Sequence, residues 1–303
     1  MDKNLYDLQK KGGFQLQSKL SPYLRIAPAM VFLLVFTFYP MVNLFYLSFF
    51  KYNLIAPKKF VGLQNYEQLF FIRTDFGVAL KNTAIYSVSV TCGLLVLATL
   101  FSVWMKKNTK LNRFAQTALF TPHLIAMISC GMIWSLLMDV DTGFFNDILY
   151  KLGLPTLRWL SSSSSAMPSI VVVAIWKDLG YYAMILLSSL EAIPTELYEA
   201  AELDNASKVK QFFKITLPLL SPQLFFLLIT MTIGSFKVFD TVRVMTEGGP
   251  GNSTDVLAYY IYRYAFSLFQ IGSASAAGTV LMLILMVMTA FYFRVLGKRV
   301  YYQ

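Results

Sequence analysis

The chain has 303 residues, of which 56% are hydrophobic and only 14% charged, where a water-soluble globule carries about a quarter charged residues. That leaves too little polar surface to clothe a soluble body, so residence in a membrane is the first expectation. The formal charge of +10 is dispersed in short stretches between apolar runs, which fits membrane topology and contact with anionic lipid and argues against a nucleic-acid partner.

Residues 1–25 are polar and carry Lys3, Lys10, Lys11, Lys19 and Arg25; they read as a cytoplasmic tail. The first apolar run, near 26–50, is not closely followed by a small-residue cleavage pattern, so it reads as a retained anchor rather than a signal peptide. A bilayer crossing takes about 20 mainly apolar residues, and further runs of that kind lie near 76–104, 115–138, 168–190, 222–242 and 276–296. The expected fold is an all-α membrane protein, with a six-span domain over 26–296 and a short cytoplasmic tail at 297–303. Pro40 and Pro122 within these runs predict kinks, which neighbouring helices can cover. Cys92 and Cys130 both lie in apolar runs and read as packing residues, and the single histidine, His123, is too little for a metal centre.

Charge sets the expected orientation. Lys106, Lys107, Lys110 and Arg113 crowd the second-to-third connection, Lys208, Lys210 and Lys214 the fourth-to-fifth, and Arg294, Lys298 and Arg299 the C-terminal end. The opposite side has Lys51, Lys58, Lys59, Arg73, Lys151, Arg158, Arg243 and Arg263. With the tail counted, the first group is the richer, and the positive-inside rule makes it cytoplasmic, with both termini. Lys81, Lys177 and Lys237 fall at or within spans, where charges favour a pore-facing reading. Lys237 and Asp240, three apart, are expected to satisfy each other on one helical face.

On the outer side the serine-rich run SSSSSAMPS, 161–169, reads as a flexible low-complexity lead into the fourth span. EGGPGNST, 247–254, is a dense turn signal. The aromatic stretch 255–270 that follows reads either as an interfacial belt or as a floor for an external partner or solute.

The longest amphipathic stretch is YEAAELDNASKVKQFFKITLPLL, 198–220, on the inner side. Pro194 suits a first helical position. Ala200 and Ala201 are small enough to let another surface approach the backbone, with Glu199 and Glu202 as acceptors beside them. Asn205 is expected to take the left-handed bend that ends this helix, and Asp204 to cap the next. The second helix has Val209, Phe212, Phe213 and Leu217 to pack under the bundle, and Pro218 to end it. An anionic leaflet would repel Glu196, Glu199, Glu202 and Asp204, so a protein partner with a basic-rimmed groove is favoured over lipid.

EAAELDNASKVKQFFKITLP resembles the EAA signature of the permease subunits of ABC importers. IWKDLGYYAMILLSSLEAIPTELY before it and TEGGPGNST after it resemble the carbohydrate branch, the maltose, glycerol-3-phosphate and multiple-sugar permeases. The resemblance implies a type I importer permease bundle in a bacterial or archaeal cytoplasmic membrane, with the loop 191–221 as a coupling helix seated in a cleft of an ATP-hydrolysing subunit. By position, Glu199, Ala200 and Ala201 match the opening of the signature, Asp204 its aspartate, Ala206 the residue that follows the bend, and Leu217-Pro218 its close. Asn205 stands where the family usually has glycine, and asparagine is the next-best residue for a left-handed bend. The implied partners are a second related permease, two ATP-binding subunits that hold ATP-Mg, and an extracellular solute-binding protein.

The chain has no GxxxxGK[ST] phosphate loop, so it is expected to need no cofactor of its own and to leave ATP hydrolysis to its partners. Sugars call for flat aromatic faces and hydroxyl-directed hydrogen bonds, which makes Asn82, Tyr86, Ser89, Trp134, Tyr181, Ser235 and Lys237 the candidates for a carbohydrate-like solute path. Lys177 and Lys237 keep an anionic solute such as glycerol-3-phosphate open. The alternative is a secondary transporter driven by an ion gradient; it would need embedded acids beyond Asp178 and Asp240, and it gives the acidic loop no purpose.

Overall fold

The computed structural model describes residues 23–107, 109–297 and 300. Lys3, Lys10, Lys11, Lys19, Lys298 and Arg299 lie outside the described residues. The elements in chain order are α1 (Tyr23–Leu47), a hairpin of β1 (Phe50–Lys51) and β2 (Lys59–Phe60), α2 (Gln64–Glu67), α3 (Thr74–Met105), α4 (Lys110–Leu124), α5 (Met127–Leu137) and α6 (Phe144–Lys151). Then come α7 (Ala166–Glu191), α8 (Glu196–Leu203), α9 (Lys208–Gln211), α10 (Leu217–Phe236), α11 (Asp240–Met245), α12 (Leu257–Tyr262) and α13 (Ile271–Phe291).

Among the described residues, five helical stretches suffice by length and apolarity to cross a membrane, and six with the bent pair α4–α5 taken as one span. The expected third span is not a single rod: α4 and α5 meet at 103°. Pro122 lies in the last turn of α4, and Ile125 and Ala126 are extended, at ψ 135° and 136°. The carbonyls at the end of α4 therefore lose their helical donors.

Two other prolines are absorbed without a break. A π-helical turn, Leu34–Phe38, precedes Pro40, and another, Phe212–Thr216, precedes Pro218. There Tyr39 N–H bonds Leu34 O and Leu217 N–H bonds Phe212 O, five residues back. The widened turn makes room before a residue that has no N–H and a bulky ring. Pro218 thus opens α10 instead of ending the preceding helix, correcting the sequence expectation.

α3 and α7 form the central pair; α4 packs on α7, and α10 on α3. The α4–α7 contact depends on Gly180, where a Cβ would stand 1.9 Å from Leu119 O. A second core unites the start of α3 with α12 and α13 around Phe76, Tyr260 and Tyr264. Tyr259, Tyr260 and Tyr264 are buried, so the inner face of the aromatic stretch is core, while Phe266 and Phe269 at its far end are exposed. The serine run is ordered as a turn: Ser165 Oγ donates to Arg158 O, and Ser169 Oγ to Trp159 O.

At 1.5 Å per residue, the 32 residues of α3 extend about 48 Å, and its ends mark the two faces of the bundle. At one end Lys106 Nζ lies 4.3 Å from the centroid of the Tyr198 ring, joining two connections read as inner. At the other, Asn82 Nδ2 donates to Asn252 O at 2.8 Å and Asp255 O at 3.0 Å, joining regions read as outer.

Candidate functional site

The first site is α8 and the bend behind it. The helix has no buried residue. Glu199, Ala200, Asp204 and Asn205 are exposed, and Ala201 and Ala206 half-buried. Leu203, at 85% exposure, adds an apolar contact to an acidic surface. Asn205 adopts φ 52°, as expected from the sequence. Around it Ala206 N–H bonds Ala201 O at 2.9 Å and Asn205 N–H bonds Glu202 O at 3.0 Å, a left-handed C-terminal motif that satisfies carbonyls the helix would orphan.

Details of the bend differ from the sequence expectation. Thr195, not a residue before it, occupies the N-cap of α8, so Pro194 falls outside the helix. The cap of α9 is Ser207, whose Oγ accepts from Lys210 N–H, and not Asp204. Asp204 is already the C-cap of α8, one residue before a chain reversal, so its side chain is too early to cap α9. Lys208 pairs with Glu202 across the bend. Val209 and Phe213 are exposed, while Gln211 and Thr216 are buried; the π turn shifts which residues face the bundle. α8 is anchored through Tyr198, whose hydroxyl meets Thr216 Oγ1 at 2.9 Å and whose ring packs on Leu190, Ile193 and Leu220.

The second site is a cavity of about 300 Å³ bordered by α3, α5, α7, α10 and α11. Tyr86, Ser235 and Lys237 line it, with Asp178, Tyr182, Asp240 and Thr241. Ser235 also braces the helices: its Oγ donates to Thr232 O at 2.9 Å and lies 2.6 Å from Ser87 Oγ. Lys237 and Asp240 are exposed and form no ion pair with each other within 4 Å. α10 stops at Phe236, and Phe239 sits at φ −136°, so the helical spacing that would have joined them is gone.

Lys177 also borders this cavity, but its ammonium is engaged. Nζ donates to Pro122 O, His123 O and Ile125 O at 3.3, 3.1 and 2.7 Å. A buried cation thus takes the carbonyls freed at the end of α4, where the helix dipole also favours positive charge. Lys237 remains as the exposed cation of the cavity.

The other candidates lie elsewhere. Asn82 and Ser89 border a separate space of about 510 Å³, with Lys81, Ser163 and Ser253. Tyr181 stacks on His123 at 4.4 Å, and His123 Nδ1 meets Asp178 Oδ1 at 2.9 Å. Trp134 packs against Trp176 and Phe145. Neither Tyr181 nor Trp134 reaches the 300 Å³ cavity. The sequence reading missed Tyr182 and Thr241; the YY pair at 181–182 signalled one aromatic on each side of the helix, and the inward member is Tyr182.

At the end away from α8, Asp255 is 1% exposed and pairs with Arg263, which also reaches Asp75. Burial pushes the Asp255 carboxyl up to about 6, the nearby Arg263 guanidinium opposing the rise.

A multi-pass bundle with a broken span, a central polar cavity and an exposed helix–bend–helix at one end defines a membrane permease component. The family described as "binding-protein-dependent transport system inner membrane component" matches residues 95–302, and the chain belongs to it. A probable ABC transporter permease protein of Bacillus subtilis, YurN, is 39% identical over 276 residues, spanning 88% of this chain and 93% of that one. The sulfoquinovosyl glycerol transport system permease protein SmoG of Agrobacterium fabrum is 33% identical over 286 residues, 94% of this chain and 92% of that one. In fold, the chain is similar to a chain of a bacterial alginate ABC transporter solved with an alginate pentasaccharide-bound periplasmic protein. The TM-score is 0.82 at 23% identity, over 92% of this chain and 96% of the other.

Proposed function

We propose that this chain is a permease subunit of an ATP-driven, binding-protein-dependent importer of a sugar or sugar-like solute, driven through α8. It forms half of the path with a second permease, two ATP-binding subunits holding ATP-Mg dock on the loop 191–221, and an external binding protein delivers the solute. The observation that carries the reading is the exposure of α8 together with its attachment through Tyr198. A short helix with an acidic, alanine-bearing outer face offers its surface to a partner and its anchor to the bundle. Glu199, Asp204 and Asn205 face that partner, Ala200 and Ala201 permit close approach, and Ala206 closes the bend.

The name of SmoG, a carrier component for a sugar derivative of glycerol, supports a carbohydrate-like cargo. Tyr86 and Tyr182 offer aromatic faces beside Ser235, Thr241 and Lys237, a mixture suited to hydroxyl-bearing rings. The excess of basic residues near α8 supports a cytoplasmic location for it. The test is Glu199→Lys and, separately, Ala201→Trp in the assembled transporter. Solute-stimulated ATPase activity is expected to collapse while membrane insertion persists; undiminished coupling in both variants refutes the reading.

A further inference from the structure

We propose that the cavity at the end of the bundle away from α8 binds a phosphate-bearing anion, supplied by the headgroup of an anionic membrane phospholipid. This space of about 650 Å³ is walled by the hairpin, α2, Arg73 and the start of α13. Three of its wall residues, Lys51, Lys59 and Arg73, are cations, and none is an acid.

Lys51 and Lys59 stand directly opposite each other in the antiparallel ladder. Like charges so placed repel and weaken the pairing, and among the described residues neither has an ion pair. Lys58 is different: its ammonium lies over the Tyr46 and Tyr52 rings, at 5.8 and 5.1 Å from their centroids. The Arg73 guanidinium is held in place over the Tyr264 ring, and Nη2 donates to Gln270 Oε1 at 2.6 Å. Its other terminal nitrogen, Nη1, is buried on the side of the Tyr260 hydroxyl, away from the cavity. Two lysines with no carboxylate beside them, and a guanidinium fixed at the same wall by Gln270 and Tyr264, are satisfied together by an anion with several acceptor oxygens.

Location selects the source. β1 begins at Phe50, just after α1 ends at Leu47, and Gly272 and Ser273 of the cavity wall belong to the first turn of α13. The cavity therefore lies where two apolar spans leave the hydrocarbon, at headgroup depth. Its wall also exposes Ile55 and Phe269, at 88% and 51%, apolar surface for the glycerol and upper acyl region of a lipid. The positive end of the α13 dipole adds to the field.

The test uses the full chain, purified and delipidated, with native mass spectrometry of phosphatidylglycerol and phosphatidylcholine of matched acyl chains. One phosphatidylglycerol is expected to be retained in preference to phosphatidylcholine. Each cation removed, by Lys51→Gln, Lys59→Gln or Arg73→Gln, is expected to weaken retention about fivefold. Neutralising either lysine relieves a repulsion, so the hairpin is not put at risk. Lys58→Gln is the control and leaves retention unchanged. Equal retention of the two lipids, or an equal loss in Lys58→Gln, overturns the site. Displacement of the lipid by millimolar inorganic phosphate assigns the cavity to a free anion and overturns the lipid source. Lipid retention that survives Lys51→Gln/Lys59→Gln, with loss of docking by a soluble external protein, assigns it to a protein carboxylate and also overturns the proposal.

Discussion

Lys177→Met removes the ammonium that holds the break between α4 and α5 while keeping a flexible apolar stem of similar length. Lys177 is 8% exposed and donates to three main-chain carbonyls, of Pro122, His123 and Ile125. A hydrogen bond from a charged donor contributes about 1.5–3 kcal/mol, but three bonds from one ammonium do not add independently. Removing the ammonium leaves neutral buried carbonyls without their donor, at a cost of about 1–3 kcal/mol, which is the expected loss. At about 2 °C per kcal/mol for a chain of this size, the unfolding midpoint falls by roughly 2–6 °C. The chain supplies its own reporter: Cys130 is buried in α5, beside the break, and Cys92 is exposed. A thiol-reactive fluorophore in a thermal ramp reads Cys130 as the break opens, over a constant signal from Cys92. Lys177→Arg, which keeps the charge, is expected to lose less. A Lys177→Met midpoint equal to that of the wild type refutes the reasoning, because the carbonyls would then be satisfied without the ammonium, and Lys177 would return as a cation available to the solute.

Asn205→Val forces a β-branched residue into φ 52°, at a cost of about 1–2 kcal/mol, and is expected to lower solute-stimulated ATPase activity, whereas Asn205→Gly retains it. Gly180→Ala places a Cβ 1.9 Å from Leu119 O and is expected to lower the unfolding midpoint sharply; Gly234→Ala, with nothing within 4 Å of the new Cβ, stabilises by up to about 1 kcal/mol in the same thermal ramp. Asp255 has a folded pKa of about 6 against 3.8 in its absence of perturbation, so between those values the folded chain holds more protons than the unfolded one and stability falls as pH rises. That contribution, on the order of 3 kcal/mol across the window, is expected to vanish in Asp255→Asn when melting at pH 4.5 and pH 6.5 is compared.

Much of the architecture was legible because membrane spans announce themselves by length and apolarity, and the bend at Asn205 because few residues tolerate a positive φ. What escaped depended on neighbours. Pro122 warned of a kink, but the carbonyls freed by a bend of 103° are taken by Lys177, on a different helix. Pro218 read as a stop signal; the π turn before it, which no local residue pattern announces, carried the helix through. Lys237 and Asp240 have the spacing of a helical pair, and only the end of α10 at Phe236 separates them. Among the solute candidates, residue type could nominate Tyr181 and Trp134 but not say which face each would take. His123 and Trp176 claim them, and Tyr182 faces the cavity instead.

If α8 is the point of drive, its attachments determine what moves. Tyr198 touches two long elements at once: Lys106, just past the end of α3, and Thr216, in the π turn that leads into α10. Farther into the bundle, the same two elements are bonded again, Ser87 to Ser235 at 2.6 Å. A tilt of α8 therefore pulls α3 and α10 together rather than sliding one past the other, because shear would break contacts at both levels. The cavity walls outside this pair belong to α5, α7 and α11, and α5 hangs from the broken joint at Ile125. Opening and closing of the cavity then falls on the α4–α5 break, the place where helical hydrogen bonds are already replaced by one lysine. A stiff pair driven from one end, working against a jointed wall, converts motion at α8 into a change of cavity shape without requiring any span to unfold.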